Sequence, residues 1–212
     1  MNNNQIRIYG AGGHSQVIKQ VLELSGFQVS ETFDDKPIGV HHAYSQTEIV
    51  SGVRDKMAEF PHEGNPVIIA IGDNKQRKEI AEFLNSGFER AIHPSSIIAP
   101  NAKIGEGTVV FAGAIIQPNT AVGRHVIVNT GASIDHDNII GDFAHISPKA
   151  ALCGHVEVGE GSHVGVGAVV IPKIKIGKWC KIGAGSVIIK DVPDFAVVVG
   201  NPGKIIRYRD AF

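Results

Sequence analysis

Cysteine, tryptophan and methionine are scarce in this chain: two, one and two residues among 212, with aromatic residues at only 6%. Two cysteines cannot staple a small secreted domain, so Cys153 and Cys180 are expected as buried free thiols. Charge of one sign is lacking too. Twenty Lys and Arg face 21 Asp and Glu, the net charge is −1, and the signs are mixed along the chain. That balance excludes the basic footprint of a nucleic-acid or membrane-surface protein. No apolar run approaches the ~18 residues of a membrane-spanning helix. Met1 to Gln5 are polar and carry no export signal. The expectation is a cytoplasmic protein with neither nucleic acid nor membrane as partner. Apolar residues at 43% suffice for one or two folded cores.

Glycine, by contrast, is abundant at 25 residues, and its placement is periodic. Seventeen six-residue steps run without interruption from Ile92 to Pro193, each opening on Ile, Val or Leu, from Ile92, Ile98 and Ile104 through to Ile182 and Ile188. The fifth position is nearly always small, as in Ala102, Thr108, Ala114, Ala132, Ala144, Ser162, Ala168 and Ser186. The second position is often Gly (Gly105, Gly123, Gly141, Gly159, Gly165, Gly177, Gly183), where turn geometry that side chains resist is expected. Six is neither the helical period nor simple strand alternation. One short strand and one turn use six residues, so three steps close a triangular coil, with the branched residue inward and the small one beside it. Layers at roughly 4.8 Å give a prism roughly 27 Å tall, of five to six coils. Residues 18 apart become stacked neighbours.

Residues 1–90 follow another pattern. Ile6–Tyr9 reads as a strand, Gly10 to Ser15 as a tight loop, and Gln16–Leu24 as a helix with Val17, Val21 and Leu24 on one face. Phe27–Phe33 is a second strand ending on Asp34 and Asp35, Val67–Ile71 a third ending near Gly72, and Lys75–Asn85 a helix. A short helix is expected around Thr47–Phe60. This is a small parallel α/β unit, with a boundary near Phe88–Ile92. The Gly-rich loop offers free N–H groups and a helix N-terminus to a phosphate, and an acidic residue after the second strand suits a ribose or base. Three readings stay open: a dinucleotide site, a mononucleotide half-site holding a nucleotide diphosphate, and a βα turn with no ligand. The short domain favours the half-site.

Five histidines lie in the later repeats: His125, His136, His145, His155 and His163. By the stacking rule His145 lies on His163, His155 on Asp137, and His136 between Pro118 and Gly154. His136 belongs to the run Ile134-Asp-His-Asp-Asn138, which places a large polar residue, Asn138, at the normally small fifth position. A repeat rule broken by a polar cluster points to function. An imidazole beside a carboxylate suits a general base, and the Gly154 N–H can face a developing oxyanion. His155, over Asp137, is the alternative base. The gaps between these histidines (11, 9, 10 and 8) do not reproduce a three-histidine zinc site, so no metal is expected. By the stacking, neither cysteine neighbours His136, so no cysteine nucleophile is expected beside it.

Tyr9-Gly-Ala-Gly-Gly-His14, Asn129-Thr130, Asp135-His-Asp137, Gly141-Asp-Phe-Ala-His-Ile-Ser147 and Val198-Val-Gly-Asn-Pro-Gly203, over nearly the full chain, resemble the bacterial sugar O-/N-acyltransferases of the hexapeptide-repeat class. The family includes N-acetyltransferases of bacillosamine and perosamine synthesis and sialic-acid O-acetyltransferases. The resemblance implies an α/β Rossmann-like N-terminal subdomain (1–90) that binds a nucleotide sugar, then an all-β left-handed parallel β-helix (91–212) with a C-terminal cap. It implies His136 as catalytic base and Asp137 as its acidic partner. It implies acetyl-CoA contacts at His145, Val166 and Ala184, to which the stacking adds Gly154, and a nucleotide-sugar pocket of Gly12, Gly13, His14, Asp34, Asp35 and Gly72. The implied activity is acetyl transfer from acetyl-CoA to the 4-amino group of a nucleotide-activated, UDP-linked amino-deoxysugar, in a homotrimer. The alternative is O-acetylation of sialic acid or another sugar hydroxyl.

Overall fold

The computed structural model describes residues 4–35, 49–51 (backbone only), 65–84 and 86–210. The chain divides into two compact units, Met1–Ile92 and His93–Phe212.

The first unit is a four-stranded parallel sheet in the order β3-β2-β1-β4, from β1 (Gln5–Tyr9), β2 (Gln28–Asp34), β3 (Ile49–Ser51) and β4 (Val67–Ile69). β1 is central, and Ile6, Ile8 and Tyr9 are buried, as befits a parallel strand covered on both faces. The α1 helix (Gly13–Leu24) follows β1, and α2 (Asn74–Leu84) follows β4. After β1 the chain builds β2 and β3 on one side, then crosses to place β4 on the other. That reversal opens a crevice at the carboxyl ends of β1 and β4, where such sheets bind ligands.

Three expectations change here. The α1 helix starts at Gly13, so the Gly-rich loop is its first turn. Its buried stripe is Ser15, Ile18, Val21 and Leu22, while Val17 and Leu24 are 43% and 54% exposed. The i, i+3, i+4 spacing of Ile18, Val21 and Leu22 is what faces the sheet. Of the helix expected around Thr47–Phe60, only Ile49–Ser51 falls among the described residues, and it pairs with β2 as a strand.

The second unit is a three-sided parallel β-helix. β5 (Ala91–Ile92) ends the first unit; from Ile97–Ile98 (β6) to Val187–Ile188 (β21) the strands are two residues long, each ending on the branched residue of its step. Pairing runs 18 residues apart throughout, for example Ile127 with His145 and Ser133 with Ala151. From Val110 to Ile188 these branched residues are all buried, at 4% exposure or less. Each such side chain contributes about 1.5–3 kcal/mol by leaving water.

The fourth position of each step carries the turn. Among the described residues it has positive φ from Gly107 to Gly185, including Asn119 (60°), Asp137 (58°), Phe143 (58°) and His155 (60°). The second-position glycines have a different cause from the one expected: close approach. A Cβ on Gly105 would fall 2.5 Å from the Gly123 carbonyl group, and one on Gly141 2.6 Å from the Glu160 nitrogen. The polar fifth-position residues staple coils together. Thr108 donates to the Gly123 carbonyl (2.8 Å) and accepts from the Val126 N–H (3.0 Å). Asn138 does the same in a larger format, donating to the Cys153 carbonyl (3.0 Å) and accepting from the Val156 N–H (3.1 Å).

The Val198–Gly203 segment closes the far end. β22 (Ala196–Val199) continues one face beside Lys181–Ile182, and β23 (Lys204–Tyr208) folds back antiparallel. Gly200 accepts from the Val187 N–H, and the Gly203 N–H donates to Val187, so the last coil's strand is not left bare.

Candidate active site

His136 and Asp137 occupy the turn between Ser133–Ile134 (β12) and Ile139–Ile140 (β13). Asp137 is at the left-handed corner, a conformation Asp tolerates. The turn is fixed by the stack: the Asp137 N–H donates to the Pro118 carbonyl (3.0 Å), and the His136 carbonyl accepts from the His155 N–H (3.1 Å). Asn138 braces it from inside, donating to the Asp135 carbonyl at 2.6 Å.

His136 Nδ1 lies 2.6 Å from Asp137 Oδ2. The hydrogen bond to His136 and a second from Asn119 hold the Asp137 carboxyl below its ordinary range. An ionised carboxylate only accepts, so Nδ1 donates and Nε2 keeps a free lone pair. The same hydrogen bond, with the charges of Asp135 and Asp137, raises the His136 pKa against a smaller opposing effect of desolvation. The His136 side chain is half exposed, at 50%. Gly154 packs against its ring: a Cβ there would fall 2.7 Å from Cε1 and Nε2. Among the described residues no acceptor is recorded for the Gly154 N–H.

Asp137 belongs to a polar ladder along this corner. Asn101 donates to Asn119 (2.6 Å), Asn119 donates to Asp137 Oδ1 (3.1 Å), and His155 Nε2 stands 3.7 Å from Asp137 Oδ2. Nothing in the sequence reading singled out Asn119; its 18-residue offset from Asp137 was the available signal. Cys153, contrary to expectation, is near His136. Cys153 immediately precedes Gly154, and its carbonyl takes the Asn138 hydrogen bond, so it lies on the coil next to the His136 turn. Cys180 is buried, and its thiol is pushed up by that burial.

The remaining prism residues lie elsewhere. His145, on strand β14 (His145–Ile146), stacks on His163 with ring centres 4.5 Å apart. Asn129 orients it: Oδ1 accepts from the Thr130 N–H (2.8 Å), which turns Nδ2 toward His145 Nε2 (3.1 Å). His145 therefore accepts at Nε2. Val166 and Ala184 are exposed neighbours in adjacent coils, at the corner that follows the His145 face. His136, Asp137 and Gly154 sit one corner further on. The width of a whole face separates the two groups within one chain.

In the first unit, Gly12, Gly13 and His14 follow β1, Asp34 and Asp35 end β2, and Gly72 follows β4, so all six gather at the carboxyl edge of the sheet. Gly10 makes the turn possible, with φ of 107° and an approach to β4 that puts a Cβ 2.9 Å from the Ala70 carbonyl oxygen. Gly12, Gly13 and Gly72 face open space. Asp34 anchors the loop through the Ala11 N–H (2.7 Å), and Tyr9 donates its hydroxyl hydrogen bond to Asp35. Arg77 went unnoticed in the sequence. It is 1% exposed and donates to the Ile71 carbonyl (3.0 Å) and Asn74 Oδ1 (2.8 Å). Burial lowers its pKa to about 9. Burial and Arg77 together lower that of His14 to about 4, so His14 is neutral at pH 7. No helix among the described residues is long and apolar enough to cross a membrane.

Comparison with known proteins adds to this geometry. Residues 5–84 match the family model of the PglD N-terminal domain, and 155–190 that of the bacterial transferase hexapeptide (six repeats). Over 115 residues the chain is 43% identical to the UDP-N-acetylbacillosamine N-acetyltransferase of Bacillus subtilis (strain 168), covering 50% of this chain and 51% of that protein. A second curated relative, the uncharacterised protein L142 of Acanthamoeba polyphaga mimivirus, is matched over 20% of its length. The chain thus spans about half or less of the curated relatives it matches. Solved structures match far more completely. The acetyltransferase domain of PglB from Neisseria gonorrhoeae FA1090 has a TM-score of 0.87 at 33% identity, covering 96% of this chain and 100% of that one. PerB from Caulobacter crescentus, solved with CoA and GDP-perosamine, has a TM-score of 0.86 at 35% identity, covering 95% and 96%.

Proposed function

The chain belongs to the hexapeptide-repeat sugar acyltransferase family, its prism a left-handed parallel β-helix, and we propose that it transfers the acetyl group of acetyl-CoA to the 4-amino group of a nucleotide-linked amino-deoxysugar. Acetyl-CoA is a co-substrate, consumed in each turnover, and the acceptor is UDP-linked.

The observation that carries this reading is the 2.6 Å contact from His136 Nδ1 to Asp137 Oδ2 on an exposed turn, with Gly154 against the ring. The acceptor nitrogen attacks the thioester carbonyl carbon as His136 Nε2 removes its proton. Asp137 keeps the imidazole in the accepting tautomer and supports the cation that forms. The Gly154 N–H faces the oxyanion of the tetrahedral intermediate. The C–S bond then breaks, and the proton on His136 passes to the departing sulfur as CoA leaves. No covalent enzyme intermediate is formed.

The nucleotide is held in residues 1–90, where the open amides at Gly12 and Gly13 meet the diphosphate, and His14, Asp34, Asp35 and Gly72 line the same edge. Residues 91–212 carry the chemistry. The donor lies along His145, Val166 and Ala184 and reaches Gly154. These residues fall at two corners of one prism, which supports a donor groove between subunits of a homotrimer; its place of action in this proposal is the cytoplasm.

The test is release of free CoA thiol with a panel of acceptors. Turnover with a UDP-4-amino sugar in preference to its GDP and dTDP counterparts, and none with hydroxyl acceptors such as sialic acid, supports the reading; turnover confined to hydroxyl acceptors overturns it, and turnover confined to GDP- or dTDP-sugars overturns the UDP linkage. His136→Ala is expected to lower turnover about 10²-fold or more, the scale of a general base.

A further inference from the structure

We propose that His136, Asp137 and His155 form a binding site for a zinc-class divalent cation, and that the bound ion switches the catalytic turn off. One donor atom from each residue lies within 4.8 Å of the others. His136 Nδ1 at 2.6 Å and His155 Nε2 at 3.7 Å address the same oxygen, Asp137 Oδ2. The two rings stand perpendicular, at 89° with centres 5.3 Å apart, so they approach from different directions. Zinc bonds nitrogen and oxygen at about 2.0–2.2 Å, which places neighbouring ligands of a tetrahedron about 3.3 Å apart. The 2.6 Å contact must open and the 3.7 Å contact close, each by less than an ångström, and the two imidazole donors, within 4.8 Å, must draw in to the same spacing, which side-chain rotation supplies. Two imidazoles and a carboxylate suit zinc and leave a fourth position for water.

The site is built rather than incidental. Asp137 and His155 are stacked left-handed corner residues on adjacent coils, and Asn119 steadies the far carboxylate oxygen at 3.1 Å. All three side chains are accessible, at 50%, 35% and 54% exposure. Numbering hides the site because its histidines are 19 residues apart and meet only through the coil.

The inhibitory effect follows from proton position, and it rests on His136 being the base. Neutral imidazole carries one proton, on Nδ1 when Asp137 accepts it. A cation takes the Nδ1 lone pair, so that proton must sit on Nε2, and the nitrogen that receives the acceptor's proton is then occupied. No net proton is released from neutral His136; one is released if the ring was charged. The ion competes with catalysis by selecting the wrong tautomer.

The experiment uses full-length, tag-free, chelator-treated protein. Zn²⁺ titrated calorimetrically should bind wild type saturably, one ion per chain, and Co²⁺ should give a ligand-field spectrum that Zn²⁺ abolishes. His155→Ala and His155→Gln should each weaken binding at least about tenfold, the scale on which metal sites answer to lost support. Circular dichroism checks their fold. Absence of saturable binding to wild type, or undiminished binding in both folded variants, overturns the site. Turnover is then compared in each protein before and after Zn²⁺, with chelator reversal. Inhibition of wild type that the His155 variants lack supports the switch; binding without inhibition overturns it. Failure of the acyl-transfer reading looks different: no chelated protein turns over, while the calorimetry stands.

Discussion

Gly154 lies against the His136 ring so closely that a methyl group on its Cα would sit 2.7 Å from Cε1 and Nε2. The backbone at Gly154 does not itself demand glycine, since it is not among the positive-φ residues. The ring can yield, because it is half exposed. Gly154→Ala should therefore leave the unfolding midpoint nearly unchanged while displacing His136, the base we propose. Turnover should fall by about 10²-fold, the usual result of an ångström of misplacement. Steady-state kinetics beside thermal melts check this; a loss of both together would point to a folding defect.

The His136 pKa is raised mainly by its hydrogen bond to Asp137. A base works only when neutral, so kcat/KM should rise with pH along a limb centred above the ordinary histidine value of about 6.5. Asp137→Asn removes the acceptor and its charge. The limb should move to lower pH and the plateau should drop, since the amide no longer supports the cation. A pH–rate profile of both proteins decides the matter; an unshifted limb would detach Asp137 from His136.

Cys153 neighbours Gly154, so thiol chemistry is a live comparison rather than a remote one. Direct transfer predicts that Cys153→Ala keeps turnover within about threefold, far inside the loss expected of a missing nucleophile or base. Trapping with labelled acetyl-CoA should leave no label on the protein in either case.

Two glycines should respond in opposite ways. Gly141→Ala drives a Cβ to 2.6 Å from the Glu160 backbone nitrogen, which cannot swing aside. A destabilisation of about 1–3 kcal/mol is expected, typical of overpacking. Gly113 has φ of 68° but nothing nearer than 4.0 Å to its would-be Cβ. Gly113→Asn should be tolerated, because Asn119 and Asp137 already hold equivalent corners. Denaturant unfolding of the two variants tests the difference.

The prism was legible because one side chain in six has a single job, and burial enforces it from Val110 to Ile188. The 18-residue stacking that follows predicts His145 on His163 and His155 over Asp137, as the structure has them. The roles of glycine were harder to read. Close approach and positive φ both select glycine, and only the backbone separates Gly141, which needs space, from Gly131 (φ 62°), which needs conformation. Cys153 stacks on Asp135, so its offset from His136 itself is 17 residues, and the 18-residue rule applied to His136 alone does not reveal it. Arg77 gave no signal, since a buried cation on a helix looks like any exposed one until the fold covers it. The metal-capable trio escaped because ligand spacing was sought along the chain, not across coils.

The left-handed corners have a consequence of their own. The branched position of each strand answers to the interior, and accessible corner side chains such as Asn119, Asp137 and His155 answer to what lies outside. One six-letter word thus holds two nearly independent alphabets. Substrate preference can be rewritten at the vertices, one floor at a time, while the shaft that supports them stays as it was.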